Sequence, residues 1–174
     1  MSDILKEYGK NGLQKQKMLT KNKNISRIVL LDSLRSMQNV WAIMRNCDGS
    51  GFEKVLMCGF TPYLPRNDIL KTSLWAEKNI DWEYYEDALD VLKKLRKDGY
   101  KIYSVEVDDR SIDYKECFNL EEEKICLVMG NEIEGIKKEI LDMSDEIISI
   151  QMVWNKASLN VSVAAWIVMY AFVK

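Results

Sequence analysis

Short apolar runs recur along this chain at regular intervals, with helical patterns between them. The runs are "RIVLLDSL" (27–34), "KVLMCGF" (54–60), "DWEYYE" (81–86), "KIYSVEV" (101–107), "KICLVMG" (124–130) and "EIISIQM" (146–152). Most are rich in β-branched or aromatic residues and bounded by turn residues, which predicts strands. Helical patterns fall near 39–50, 67–75, 87–98, 135–142 and 157–173. In "EDALDVLKKLRKDG", Ala88, Leu89, Leu92 and Leu95 share one face and Gly99 stops the helix. Strands alternating with helices at roughly 20–25-residue spacing predict an α/β domain, a mostly parallel sheet flanked by helices. Ligands of such sheets bind in loops at the carboxyl ends of the strands.

The absence of repeats and Pro/Gly linkers points to one domain over 27–174, preceded by a basic arm over 1–26. Residues 1–27 carry Lys6, Lys10, Lys15, Lys17, Lys21, Lys23 and Arg27 against Asp3 and Glu7, although the whole chain has net charge −2. A basic arm on an acidic body fits a nucleic-acid patch or a solvated helix face equally well. No apolar run approaches a membrane span and "MSDILKEYGK" has no signal-peptide core, so a cytoplasmic location without membrane contact is expected. Histidine is absent, which removes Ser-His and Cys-His catalysis and most transition-metal sites. Cys47, Cys58, Cys117 and Cys126 form no C-x-x-C pair and are expected as reduced, mostly buried thiols, with no metal bound.

Three loops carry polar residues suited to chemistry. "MGNEIEGI" follows a buried-type strand and is expected to open a helix, with Gly130 and Gly135 allowing close backbone approach. It has no G-K-[ST], and Glu132 and Glu134 suit a cationic or hydroxyl-bearing ligand better than a phosphate. A plain strand-to-helix turn explains it equally well. "NVWAIMRNCDGSG" places Asn39 and Arg45 on a helix; the guanidinium would pair with a phosphate, or structurally with an acid such as Asp48. "SLNVSVAAW" starts a helix for which Ser158 is the expected cap, followed by small and β-branched residues suited to close packing against a helix or second subunit.

In this order, the three segments resemble the motifs of the SpoU/TrmH family of RNA ribose 2′-O-methyltransferases, in the SPOUT superfamily. "NVWAIMRNCDGSGF" resembles N-x-G-A-I-x-R-x-x-D-x-x-G, and "LVMGNEIEGI" resembles L-V-x-G-N-E-x-x-G-I. "ISIQMVWNKASLNVSVAA" resembles I-x-I-P-M-x-G-x-x-x-S-L-N-V-S-V-A-A, with Gln151 replacing the proline. The resemblance covers about residues 27–173 and implies a SPOUT-type fold with a deep trefoil knot in its C-terminal half. It implies a homodimer that methylates RNA, with tRNA the expected substrate, using S-adenosyl-L-methionine. Arg45 would be the principal catalytic residue, supported by Asn39, Glu132, Ser158 and Asn160. Val105, Met129, Gly130, Asn131, Gly135, Ile150, Met152 and Leu159 would bind the cofactor. The basic arm, Arg66 and Lys71 would meet RNA phosphates.

The family pattern has glycine where this chain has Trp41, Trp75 and Trp154, and glycine or alanine at Trp166; only Trp82 sits where an aromatic looks natural. Two readings follow. Either the gene reads UGA as glycine and the native protein carries glycine at those four positions, or the tryptophans are authentic and the pocket is remodelled. The second leaves a weak enzyme or a catalytically silent RNA-binding homodimer, its pocket altered by Trp41 and Trp154. TGA at the four codons with TGG at Trp82 is the pattern the first requires.

Overall fold

Side chains along the strands part alternately to two faces, and each face is covered by helices. The structure is a computed structural model that describes residues 25–63, 80–119, 123–153 and 158–173. The predicted helix over 67–75, nearly all of the basic arm, Arg66, Lys71, Trp75 and Trp154 lie outside the described residues. The strands are β1 (Ser26–Asp32), β2 (Lys54–Cys58), β3 (Asp81–Tyr85), β4 (Lys101–Val105), β5 (Ile112–Asp113), β6 (Lys124–Met129) and β7 (Glu146–Ser149). The helices are α1 (Met37–Ser50), α2 (Ala88–Lys97), α3 (Lys138–Met143) and α4 (Val161–Ala171).

The strands form one sheet in the order β3-β2-β1-β6-β4-β7-β5, and all its pairings are parallel. The chain runs outward from β1 through β2 to β3, then crosses back to build the other half. Strand order therefore reverses between β1 and β6, the kind of boundary where α/β sheets hold ligands. Leu31 pairs with Met129, Met129 with Val105, and Val105 with Ile148, so four strands end level there.

On one face Val29, Leu31, Val55, Met57, Ile125 and Leu127 pack under Val40, Ile43, Met44 and Cys47 of α1 and Ala165, Val168 and Met169 of α4. On the other, Ile28, Leu30, Leu56, Ile102, Cys126 and Val128 pack under Ala88, Val91 and Leu92 of α2 and Ile140 of α3. Each large apolar side chain so buried stabilises the fold by about 1.5–3 kcal/mol. All four cysteines are free and buried, and burial pushes their thiols up, Cys58 and Cys117 to about 12, so they stay protonated. Among the described residues, no helix is long and apolar enough to cross a membrane.

The helix ends have local causes. Ser36 caps α1 by accepting from the Asn39 N–H, and Gly51 closes it at φ 76°. Asp87 caps α2 by accepting from the Asp90 N–H. The expected cap of α4 is corrected: the Asn160 side chain, not Ser158, accepts from the Ser162 N–H, and the helix starts at Val161. The two described tryptophans at family-glycine positions, Trp41 and Trp166, lie inside helices. Among described non-glycine residues, positive φ occurs at Ser33 alone, so neither tryptophan occupies a backbone that demands glycine. Trp41 packs half-buried against the core, whereas Trp166 is 53% exposed, edge-on to Tyr170 at 6.0 Å between ring centres.

Candidate functional site

The loop after β6 is a closed turn rather than a helix start. Asn131 and Gly135 exchange both backbone hydrogen bonds, at 3.1 and 2.9 Å. The Asn131 Oδ1 accepts from the N–H groups of Ile133 and Glu134, at 2.9 and 3.0 Å. Gly135 takes φ 69°, and α3 begins only at Lys138. The free helix N–H groups expected within "MGNEIEGI" are thus not there, because the asparagine side chain and the tight turn use the local donors. The Asn131 Nδ2 also donates to the Ser33 carbonyl at 2.7 Å, tying this turn to the end of β1. Ser33 is held at φ 57°, an uncommon conformation for a residue with a side chain.

Glu132 faces the start of α1 and accepts from the backbone N–H of Arg35 at 2.7 Å, that of Ser36 at 3.0 Å and Asn39 Nδ2 at 2.8 Å. Asn39 Oδ1 in turn accepts from Asn160 Nδ2 at 3.1 Å, and Asn160 caps α4. One hydrogen-bonded line therefore joins the three motif segments, from sequence positions far apart. Most of the Glu132 acceptor capacity is taken by the protein. Burial raises its carboxyl, but the bonds from Arg35, Asn39, its own backbone and Ser36 outweigh that and leave it below its usual 4.5. A lowered carboxyl contributes stability that is complete above the unfolded value and lost as pH falls through the folded one. Urea midpoints of wild type and Glu132→Gln are accordingly expected to differ most at neutral pH and to converge as pH falls through and below the usual carboxylate range. A constant gap down to pH 3 would contradict this role.

Beside that line, at the carboxyl ends of β4, β6 and β7, lies a cavity of about 420 Å³. That is within the size range of small-molecule sites. Val105, Met129, Gly130, Asn131, Gly135, Ile150, Met152 and Leu159, expected for the cofactor, all line it, as do Glu132, Ser158 and Asn160. Its walls mix apolar side chains with main chain, and Gly130 has no room for a side chain: a Cβ would lie 2.6 Å from both the carbonyl carbon and the oxygen of Gly135. Asn39 reaches the cavity only through its bonds to Glu132 and Asn160. Arg45 is not among the lining residues; it is exposed on α1 and pairs with no acid among the described residues. The adjacent Asn46 donates to the Ser162 carbonyl at 3.2 Å, which keeps this stretch of α1 against the start of α4. Trp41 does not line the cavity either, and Trp154, the other tryptophan of the silent-protein reading, lies outside the described residues.

Sequence reasoning did not name Glu106, Val107, Ile133, Ile148, Ser149, Val161 and Ala164 in the wall, nor the buried Asp32, which Lys137 approaches at 3.7 Å. An acid just past a strand end was the signal available for Glu106.

The SpoU rRNA methylase family profile matches residues 26–170. A Staphylococcus haemolyticus protein named for the TrmH family of tRNA/rRNA methyltransferases is 28% identical over 146 residues, covering 84% of this chain and 57% of that protein. The chain thus spans little more than half the length of this curated relative. The crystal structure of the A. aeolicus TrmH/SpoU tRNA modifying enzyme superposes with TM-score 0.73 at 25% identity, covering 93% of this chain and 81% of the other. An AdoMet-bound rRNA methyltransferase from Sinorhizobium meliloti shares the fold, with TM-score 0.74 at 21% identity over 84% of this chain and 55% of the other.

Proposed function

Because the chain belongs to the SpoU rRNA methylase family, we propose that it is an S-adenosyl-L-methionine-dependent methyltransferase acting on a ribose 2′-hydroxyl of RNA, with tRNA as substrate. The observation that carries this reading is one cavity lined by the second and third motif segments, with the first tied to its edge through the bonds of Asn39 to Glu132 and Asn160. The cavity fits the cofactor: apolar Met129, Ile148, Ile150 and Leu159 suit an adenine, and Gly130 lets main chain approach closely. When bound there, the cofactor supplies a methyl group on a positively charged sulfur.

The chain's own residues then need only position the ribose and stabilise charge. As the 2′-hydroxyl gives up its proton to solvent water, negative charge grows on its oxygen. Arg45, whose guanidinium has no acid partner among the described residues, is suited to clamp the adjacent phosphate and lower the cost of that charge. Glu132 acts through α1, holding Asn39 and the helix that carries Arg45. The 2′-hydroxyl makes RNA rather than DNA the substrate. The basic arm would add phosphate contacts.

A deep trefoil knot through the C-terminal half and a homodimer belong to the same proposal. Val163, Trp166 and Tyr170 leave an exposed apolar face on α4, while Val161 and Ala164 of that helix line the cavity. A second copy seated there would border the site. Trp166→Glu is expected to turn a dimer into a monomer in sedimentation equilibrium; an unchanged mass would place the interface elsewhere. The cofactor part is tested by isothermal titration, where micromolar S-adenosylmethionine binding is expected and the absence of heat would contradict it.

A further inference from the structure

Glu106 follows the last residue of β4 and lines the cavity, yet it belongs to none of the three motif segments. Its carboxylate is fixed by main chain at both oxygens. Oε1 accepts from the Val107 N–H and Oε2 from the Ile136 N–H, each at 2.9 Å. Gly135 keeps its space clear: a Cβ there would overlap Oε2. No cation pairs with Glu106 among the described residues.

We propose that Glu106 is the specificity-determining residue that accepts the two vicinal ribose hydroxyls of the adenosyl cofactor. This rests on the methyltransferase reading of the cavity. A carboxylate oxygen has two acceptor positions, and here each spends one on a backbone N–H. One acceptor position remains on each oxygen, side by side and held rigidly. Once a ligand displaces water from the half-buried group, those positions must meet donors or the desolvation is uncompensated. Two hydroxyls on neighbouring ring carbons present two such donors at fixed spacing. Glu132, the other acid in the wall, already gives its acceptors to Arg35, Ser36 and Asn39. The apolar wall beside Glu106 takes the base, so the sugar of an adenosyl group falls next to the carboxylate.

The alternative is that Glu106 only staples the turn at Gly135 to the end of β4, and binding data separate the two roles. Wild type is titrated with S-adenosylhomocysteine and with its 2′,3′-dideoxy analogue; the same pair is titrated into Glu106→Gln. Wild type is expected to bind the analogue roughly ten- to hundredfold more weakly, as befits lost hydrogen bonds to a charged group. Glu106→Gln is expected to lose affinity for S-adenosylhomocysteine while changing little toward the analogue. Equal wild-type affinity for both ligands would overturn the proposal without any variant, and so would equal losses for both in Glu106→Gln, the signature of a staple. Failure of wild type to bind S-adenosylhomocysteine would overturn the methyltransferase reading itself, and this inference with it.

Discussion

Arg45→Ala is expected to lower methyl-transfer turnover about 10²–10³-fold while leaving thermal stability and cofactor affinity unchanged. The physical basis is the side chain's isolation. Arg45 is exposed, outside the cavity wall, and in no ion pair with the described acids, including Asp48. Removing it therefore takes little packing and no side-chain ion pair with the described residues from the folded chain. If it stabilises charge on the substrate, its loss falls on turnover, because that charge develops only in the transition state. Arg45→Lys should recover little, since an ammonium cannot grip a phosphate through two parallel N–H groups. Single-turnover rates with unfolding and titration on the same samples check this. Full activity in Arg45→Ala would remove the arginine from the chemistry. A fall in melting temperature of several degrees would give it a structural role instead.

Gly130→Ala carries the second large effect, and here stability and binding should fall together. The added methyl meets the Ile136 side chain at Cγ1, 2.5 Å away, and the carbonyl carbon and oxygen of Gly135 at 2.6 Å, and that backbone cannot step aside as a flexible side-chain end would. That carbonyl accepts the Asn131 N–H, and the next residue, Ile136, donates to Glu106. The turn cannot give way without loosening both bonds. Overpacking of this kind costs about 1–3 kcal/mol. Cofactor affinity should fall at least about tenfold, since each 1.4 kcal/mol of misfit at the wall is a factor of ten. Gly99→Ala is the control: nothing lies within 4 Å of a Cβ there, although φ is 84°. It is expected to cost about 1 kcal/mol from the backbone strain and to leave binding intact. Chemical denaturation and titration of both variants decide the matter, and wild-type binding by Gly130→Ala would contradict the account of the turn.

The strands were legible because their apolar runs match the period and length of a buried parallel sheet. β5 was not: its two residues, Ile112 and Asp113, are too few to show any alternation. Strand order was beyond periodicity, since nothing local in "KICLVMG" says that it lies between β1 and β4. Of the candidate site, the ordered motifs marked eight residues as cofactor-binding, and these eight line one cavity. Details set by side chain against backbone were not legible. Asn160 outcompetes Ser158 as a cap through its bond to the Ser162 N–H, and Asn131 closes a turn where a helix start was expected. The bonds of Glu132 were out of reach for the same reason, because its partners lie more than 90 positions away in sequence. That both Asn39 and Arg45 lie outside the wall is likewise set by the packing of α1, which the motif spacing alone does not convey.

The tryptophans also read differently with the fold in view. Trp41 and Trp166 occupy ordinary helical backbone, so their cost there is one of bulk rather than strain. Glycine inside a helix would itself cost about 1 kcal/mol relative to alanine. A glycine at 166 would instead flatten the exposed face of α4, which ties the coding question to assembly.

The central claim is tested most directly by incubating total tRNA with the protein and methyl-labelled S-adenosylmethionine, then digesting to nucleosides for mass spectrometry. The account predicts label on the ribose of a 2′-O-methylated nucleoside, absent with Arg45→Ala. Label on a base, or none on any RNA from a protein that binds the cofactor, would contradict it.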